Sequence, residues 1–202
     1  MKKYELTEQV RLIGSHELHR IRAVKDIAGV AKTGDLGGWI EREENLSHYG
    51  KSWVGENAAV YGRTIVSENA QVKGDVEIAP ADDGPEKFDW AEIRGNAVVD
   101  GSALVNGAPL ITDSARVGGF AAISGMPKIG GSAVVDEHAT VAGHPTIGGD
   151  ARVTGNAKVD GAARINDRAT IKGNAHVGGE TVVRGDATVD GLSDLTGHDV
   201  IH

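Results

Sequence analysis

Between Ile93 and Val189 an aliphatic residue stands at every sixth position, seventeen in succession, running Ile93, Val99, Val105, Ile111 and onward through Val183. Two residues before most of them sits an alanine, as at Ala97, Ala103, Ala115, Ala121, Ala133 and Ala139. A period of six fits the two-residue alternation of a strand and not the 3.6-residue turn of a helix, so each hexad reads as a short strand followed by a bend. Glycine recurs at the third place of the unit, as at Gly95, Gly101, Gly107, Gly125 and Gly143, commonly followed by Asn, Asp or Ser. These residue types tolerate tight bends and positive φ. The pattern predicts an all-β solenoid.

Taken in steps of eighteen, the series sorts by residue type. Ile93, Ile111, Ile129, Ile147 and Ile165 form one column, Val99, Val117, Val135 and Val153 the next, and Pro109, Pro127 and Pro145 are likewise eighteen apart. Three hexads therefore make one triangular coil, with like residues stacked at the parallel-strand spacing of about 4.8 Å. A narrow triangle also accounts for the alanines, because two large inward residues per strand would overfill it. Earlier hexads at Val54, Val60, Val66, Val72 and Ile78 are followed by a gap of fifteen residues to Ile93, an insertion of about nine. The segment at about 79–91 is rich in turn formers and holds Phe88 and Trp90. By column counting it leaves from the corner that carries Ala108, Met126, His144, Ala162, Glu180 and His198.

The organisation expected is an N-terminal cap over residues 1–50 and a β-helix over 51–202. An open solenoid end exposes unpaired strand edges and apolar core, which the cap would cover, with Trp39, Tyr49 and Trp53 as plugging residues. The first ten residues lack the apolar run of a signal peptide, and no stretch reaches membrane-spanning length. A cytoplasmic protein with no membrane partner is the expectation. A net charge of −8 and the lack of basic, aromatic-interleaved patches argue against nucleic acid. With no cysteine in the chain, thiolate metal sites and disulfides are excluded.

The V-x-G-N-A-x hexads over 54–195 resemble the hexapeptide-repeat family, whose members fold as left-handed parallel β-helices. That resemblance implies acyl transfer from acetyl-CoA or a related donor, commonly by a homotrimer. The segment Leu36-Gly37-Gly38-Trp39-Ile40, with Asn45-Leu46-Ser47 and Trp53-Val54, more closely resembles uncharacterised enterobacterial and prophage members that carry a transferase label without a known activity. A weaker resemblance is to the bactofilins, which polymerise. His144-Pro145-Thr146-Ile147-Gly148 is similar to the His-Pro segment of serine-acetyltransferase-like members, and Asp136-Glu137-His138-Ala139-Thr140 to the segment around their catalytic histidine.

Acyl transfer needs a histidine base, a group that orients it and an oxyanion donor. His138 and His144 fall on different corners of the triangle, and Glu180 lies two coils from His144, near 9.6 Å. A catalytic His144 would therefore draw its partner from a second subunit. The same spacing removes a three-histidine metal site within one chain. The candidate ligand pocket is the corner of Met126 and His144, with Phe88 and Trp90 folded over it as an apolar wall. Flanking Val105, Ile123 and Val141, the outward residues Leu104, Asn106, Ala122, Ser124, Thr140 and Ala142 are uncharged, with Phe120 and Met126 at the edges. This face is the expected interface of a homo-oligomer, a trimer by resemblance. Two functions follow: a non-enzymatic binding or scaffold protein, such as a prophage accessory factor with a protein partner and no cofactor, or an acyltransferase using acetyl-CoA at an intersubunit site.

Overall fold

The computed structural model describes residues 2–79 and 90–202. Over them the chain is an all-β parallel solenoid of about eight turns, with no α-helix among the described residues and a single 3-10 turn at Glu43–Asn45. No helix among them is long and apolar enough to cross a membrane. Three sheets run the length of the rod, one of eleven strands and two of eight. Each hexad gives one short strand, and each strand pairs in parallel with the hexad eighteen residues on, as Val99 with Val117 and Val105 with Ile123. Across the insertion the step becomes twenty-seven, with Val66 beside Ile93, Val72 beside Val99 and Ile78 beside Val105. The nine extra residues thus leave the register intact, and the columns resume beyond them.

Packing follows from the pattern. Every aliphatic column residue from Val54 to Val183 points inward and is essentially excluded from solvent, as is the alanine that stands two places before most of them. Thr64 and Thr181 take the place of that alanine in two coils and are buried with the rest. Lateral support is a ladder of backbone hydrogen bonds between coils, such as Val98 N–H to Ala115 O at 2.9 Å and Arg116 N–H to Ala133 O at 2.9 Å. No coil has to bury its apolar residues alone, since each covers the next.

The bends localise at one position per hexad. The third-place residue sits in the left-handed region, as at Gly101 (φ +72°) and Gly125 (φ +78°). Where glycine is missing there, the substitutes are acidic: Glu56, Glu68, Asp113, Glu137 and Asp167 all have φ between 56° and 62°. Four of them share one compensating contact. The carboxylates of Glu68, Asp113, Glu137 and Asp167 accept the N–H of Gly95, Gly131, Gly155 and Gly185 in the neighbouring coil, at 2.7 to 3.0 Å. A charge-assisted bond offsets the cost of about 1–2 kcal/mol that a Cβ meets in this conformation.

The N-terminal segment extends the eleven-stranded sheet. Strands β1 (Tyr4–Ile13) and β2 (His16–Ala23) form an antiparallel hairpin, and β2 pairs with β3 (Leu36–Ile40). β3 in turn runs parallel to Ala59–Val60, placing Ile40 beside Val60. Leu46 bridges to Val66, so parallel stacking reaches back across residue 50. At this end Tyr4, Ile21, Ala23, Ile27 and Ala31 join the same buried cluster as the coils. Of the three aromatic residues expected to plug the end, Trp53 is buried in this cluster, its ring centroid 6.5 Å from that of Tyr4. The other two lie elsewhere: Tyr49 is 84% exposed, and Trp39 faces outward beneath the Arg20 guanidinium (5.4 Å to the ring centroid). Alternation decides the place of Trp39, because Ile40 holds the inward position.

Candidate functional site

The corner that carries the insertion is the one counted from the sequence. The strand Glu77–Ala79 ends at it, Glu92–Ile93 resumes after it, and the backbone N–H groups of Ala108, Met126, His144, Ala162 and Glu180 form its ladder at 2.7 to 2.9 Å. Here Met126 is 38% exposed and His144 is exposed. The imidazole of His144 meets no hydrogen-bonding or ion-pairing side chain among the described residues. Pro145 is buried beneath it, in the inward column of Pro109 and Pro127. Glu180 is engaged by His198, with Oε2 to Nε2 at 3.5 Å.

Trp90 does not close over this corner. It lines an open hollow of about 440 Å³ with Arg42, Asn45, Gly62, Thr64 and Ile65, toward the N-terminal end, and neither Met126 nor His144 contributes to that hollow. The strand Glu92–Ile93 pairs with Ile65–Val66 on one side and Leu110–Ile111 on the other, so the residue leading into it reaches the earlier coil directly, whereas Met126 lies a further coil away. Of the expected wall of Phe88 and Trp90, Trp90 therefore stands with the earlier coil. Phe88 lies outside the described residues.

The eleven-stranded sheet presents the outward residues in the columns read from the sequence. Leu104 is beside Ala122 and Ala122 beside Thr140, with Asn106, Ser124 and Ala142 two residues along. Leu104 is 42% exposed; Ala122, Ser124 and Ala142 are half-buried. At the adjacent corner Phe120 is 63% exposed and lies flat on the His138 imidazole, with ring centroids 5.1 Å apart and planes at 7°. The next coils of this sheet are charged. His176 bridges Asp160 (3.0 Å) and Asp194 (3.3 Å), and Lys158 also reaches Asp160 (2.7 Å). Burial raises the Asp160 pKa, but the bonds from Lys158 and His176 outweigh it and hold the carboxyl below its ordinary value.

On the other side of the uncharged stretch, the β1–β2 hairpin folds back over the outside of the sheet. There it makes a second small core in which Leu18 is fully buried against Ala59 and Tyr61, flanked by Ile13, Trp39 and Ala79. Polar contacts fasten it: His16 Nδ1 lies 2.9 Å from Glu41 Oε1, the His16 and Tyr61 rings are 4.8 Å apart, and the Tyr61 hydroxyl donates to Glu77 at 2.5 Å. Glu41 also accepts the Gly62 N–H at 2.7 Å. Burial raises the Glu41 pKa, yet the bonds from His16 and Gly62 prevail and hold it below the carboxylate norm. Burial, then the Glu77 carboxylate, push the Tyr61 phenol well up. Sequence reading missed this cluster. His16 and Glu41 are twenty-five residues apart in a segment without a repeat, so no column places them together.

Three further polar side chains are set in the N-terminal end. Lys3, Tyr4 and Ser52 are fully buried, and the Tyr4 ring stacks on His48 with centroids 4.4 Å apart. The Tyr4 hydroxyl donates to the carbonyls of Glu43 (2.9 Å) and Leu46 (2.8 Å). No grouping of three or more His, Asp or Glu side chains among the described residues could hold a metal ion. Comparison with family models returned no match, and comparison with curated proteins returned none either.

Proposed function

We propose that this protein is a non-catalytic binding and scaffold protein, a rigid acidic prism that associates with copies of itself through the uncovered part of its eleven-stranded sheet. One observation carries the reading. The β1–β2 hairpin already packs an apolar side chain, Leu18, onto the outer side of this sheet at Ala59 and Tyr61; one coil on, the Tyr61 hydroxyl occupies the Glu77 carboxylate, and beyond Glu77 the outward residues are uncharged through Leu104, Ala122, Ser124 and Ala142. Leu104 and the Phe120–His138 stack stand exposed beside the covered stretch. An uncharged strip between Glu77 and the hairpin on one side and the Lys158–Asp160–His176 network on the other has the composition of an interface core bounded by a polar rim.

A homotrimer is the stoichiometry that the resemblance to hexapeptide-repeat proteins suggests, as is the left hand of the helix. Sedimentation equilibrium of the wild-type chain and of a Leu104→Glu, Ala122→Glu double variant tests the interface. Two buried carboxylates cost far more than such a patch gains, so the variant should run at the monomer mass. A monomeric wild type, or a variant that keeps the wild-type mass, rejects the assignment. Acyl transfer is the competing reading; it would require a second subunit to bring a carboxylate to His144.

A further inference from the structure

A cleft lies outside the prism at its N-terminal end. It has a volume of about 780 Å³ and is walled on one side by the segment 28–36 and on the other by the outer surface of the strands at Trp53, Gln71 and Val98. The wall is braced before any ligand arrives. Ile27 and Ala31 are buried and bridged to each other, and Asp26 accepts the Thr33 N–H (3.0 Å), the Thr33 hydroxyl (3.1 Å) and the Lys32 ammonium (2.8 Å). A preformed cleft avoids much of the ordering cost of binding. Gly55, in the column of Lys73, leaves space above the Trp53 ring that a side chain would occupy, since a Cβ there would lie 3.3 Å from Trp53 Cδ1.

The cleft is lined by two lysines, Lys51 and Lys73, and two carboxylates, Asp35 and Glu56. Among the described residues neither the Lys51 nor the Lys73 ammonium has a hydrogen-bond or ion-pair partner. Lys73 would be served by Asp100, the next residue of its column, but Arg116 holds that carboxylate at 2.7 and 3.2 Å. The Asp35 carboxylate is turned to the Lys32 N–H at 2.7 Å. Gln71 donates its amide hydrogens to the carbonyls of Lys51 (2.8 Å) and Asn69 (3.1 Å), which leaves its oxygen as an acceptor beside the indole. Glu56, at the same opening, works against an anion.

We propose that this cleft binds a small organic anion with an apolar or aromatic body, the anionic head between Lys51 and Lys73 and the body against Trp53 and Leu36. Lysines act as point charges and accept either a carboxylate or a phosphate head. Titration of the full chain with phenylacetate, phenyl phosphate and neutral phenylacetamide, following the three tryptophan indole N–H signals by NMR, tests this. Either anion should move the Trp53 signal saturably while Trp39 and Trp90 stay in place, and the tighter of the two identifies the head group. Phenylacetamide should bind about tenfold more weakly, the loss of two exposed charge contacts. Lys51→Gln with Lys73→Gln should erase that preference, and Glu56→Gln should tighten both anions. The proposal fails if the Trp53 signal is unmoved by both anions at about 10 mM, weaker than any specific small-ligand site, or if the neutral amide binds as well as the anions.

Discussion

Lys3 Nζ lies 2.6 Å from the Ser52 carbonyl oxygen and 3.0 Å from its hydroxyl oxygen, with both residues shut off from water. Two acceptors serve three ammonium protons, and among the described residues no carboxylate is hydrogen-bonded to it. Burial, then the charge of Lys25, bring the Lys3 pKa down from 10.5 to about 8. Below that value the lysine is charged in both folded and unfolded chains, and its desolvation cost is constant. From about pH 8 toward 10.5 the unfolded chain retains the proton that the folded one has released, so stability rises with pH by at most about 1.4 kcal/mol per unit. The buried phenols of Tyr4 and Tyr61, raised above their ordinary 10.0, act in the opposite sense and only at higher pH. Urea midpoints should therefore be higher near pH 9.5 than near pH 7.5, and Lys3→Met should flatten the profile. A wild-type profile that is flat or falling across this window rejects the account.

Two glycines with the same backbone conformation should respond differently to alanine. Gly191 (φ +71°) has nothing within 4 Å of the position an added methyl group would take, so Gly191→Ala meets only the left-handed penalty of about 1–2 kcal/mol. At Gly125 (φ +78°) the added carbon would stand 2.5 Å from the Gly143 carbonyl oxygen in the next coil. Gly125→Ala must push two coils apart, and its loss of thermal stability should be at least twice that of Gly191→Ala. Equal losses would mean that the coils separate more freely than their ladder suggests.

The narrow core sets a third comparison. Ile129→Ala leaves a cavity that neighbouring columns, fixed by the ladder, cannot fill, and should cost roughly 2–5 kcal/mol. Ala133→Leu, at a fully buried small position, adds volume where the triangle has none and should cost about 1–3 kcal/mol. Chemical denaturation of the two variants measures both. Wild-type stability in the leucine variant would show that the alanines are not needed for space.

His144 is exposed and makes no side-chain hydrogen bond or ion pair among the described residues, so His144→Ala should leave the unfolding midpoint unchanged. Calorimetry of the purified protein with acetyl-CoA and free CoA then separates the two functional readings. The scaffold reading expects no heat of binding at millimolar nucleotide. Saturable binding that the His144→Ala variant abolishes would put acyl transfer in its place.

How far the fold could be read depended on whether a segment repeats. Ile93 to Val189 could be placed in their columns because each coil reports on the next, and even the nine-residue insertion was visible as a break in phase at Ile78. The corner of Met126 and His144 was legible for the same reason. Leu18 was not, because nothing in a non-repeating hairpin says which outer surface it will fold onto. Trp90 stands at the edge of the insertion, where phase counting gives the corner but not the direction along the rod, and it turned toward Arg42 instead of Met126. Large aromatic residues near the first coil suggested a plug, and Trp53 does join the buried cluster there, but Tyr49 is exposed and strand alternation gives the inward place beside Trp39 to Ile40. The Lys51 and Lys73 cleft was invisible for a further reason: one wall comes from 28–36, outside any period.

The identical step between coils has an evolutionary corollary. Removing or duplicating any eighteen consecutive residues within 94–183 would return every surviving side chain to its original face and corner, since Val99 stands to Val117 as Val135 to Val153. The chain would change length by about 4.8 Å at each such event, without a new core having to be invented. Such a protein can be cut to measure by unequal recombination, with the spacing between its two ends as the quantity under selection.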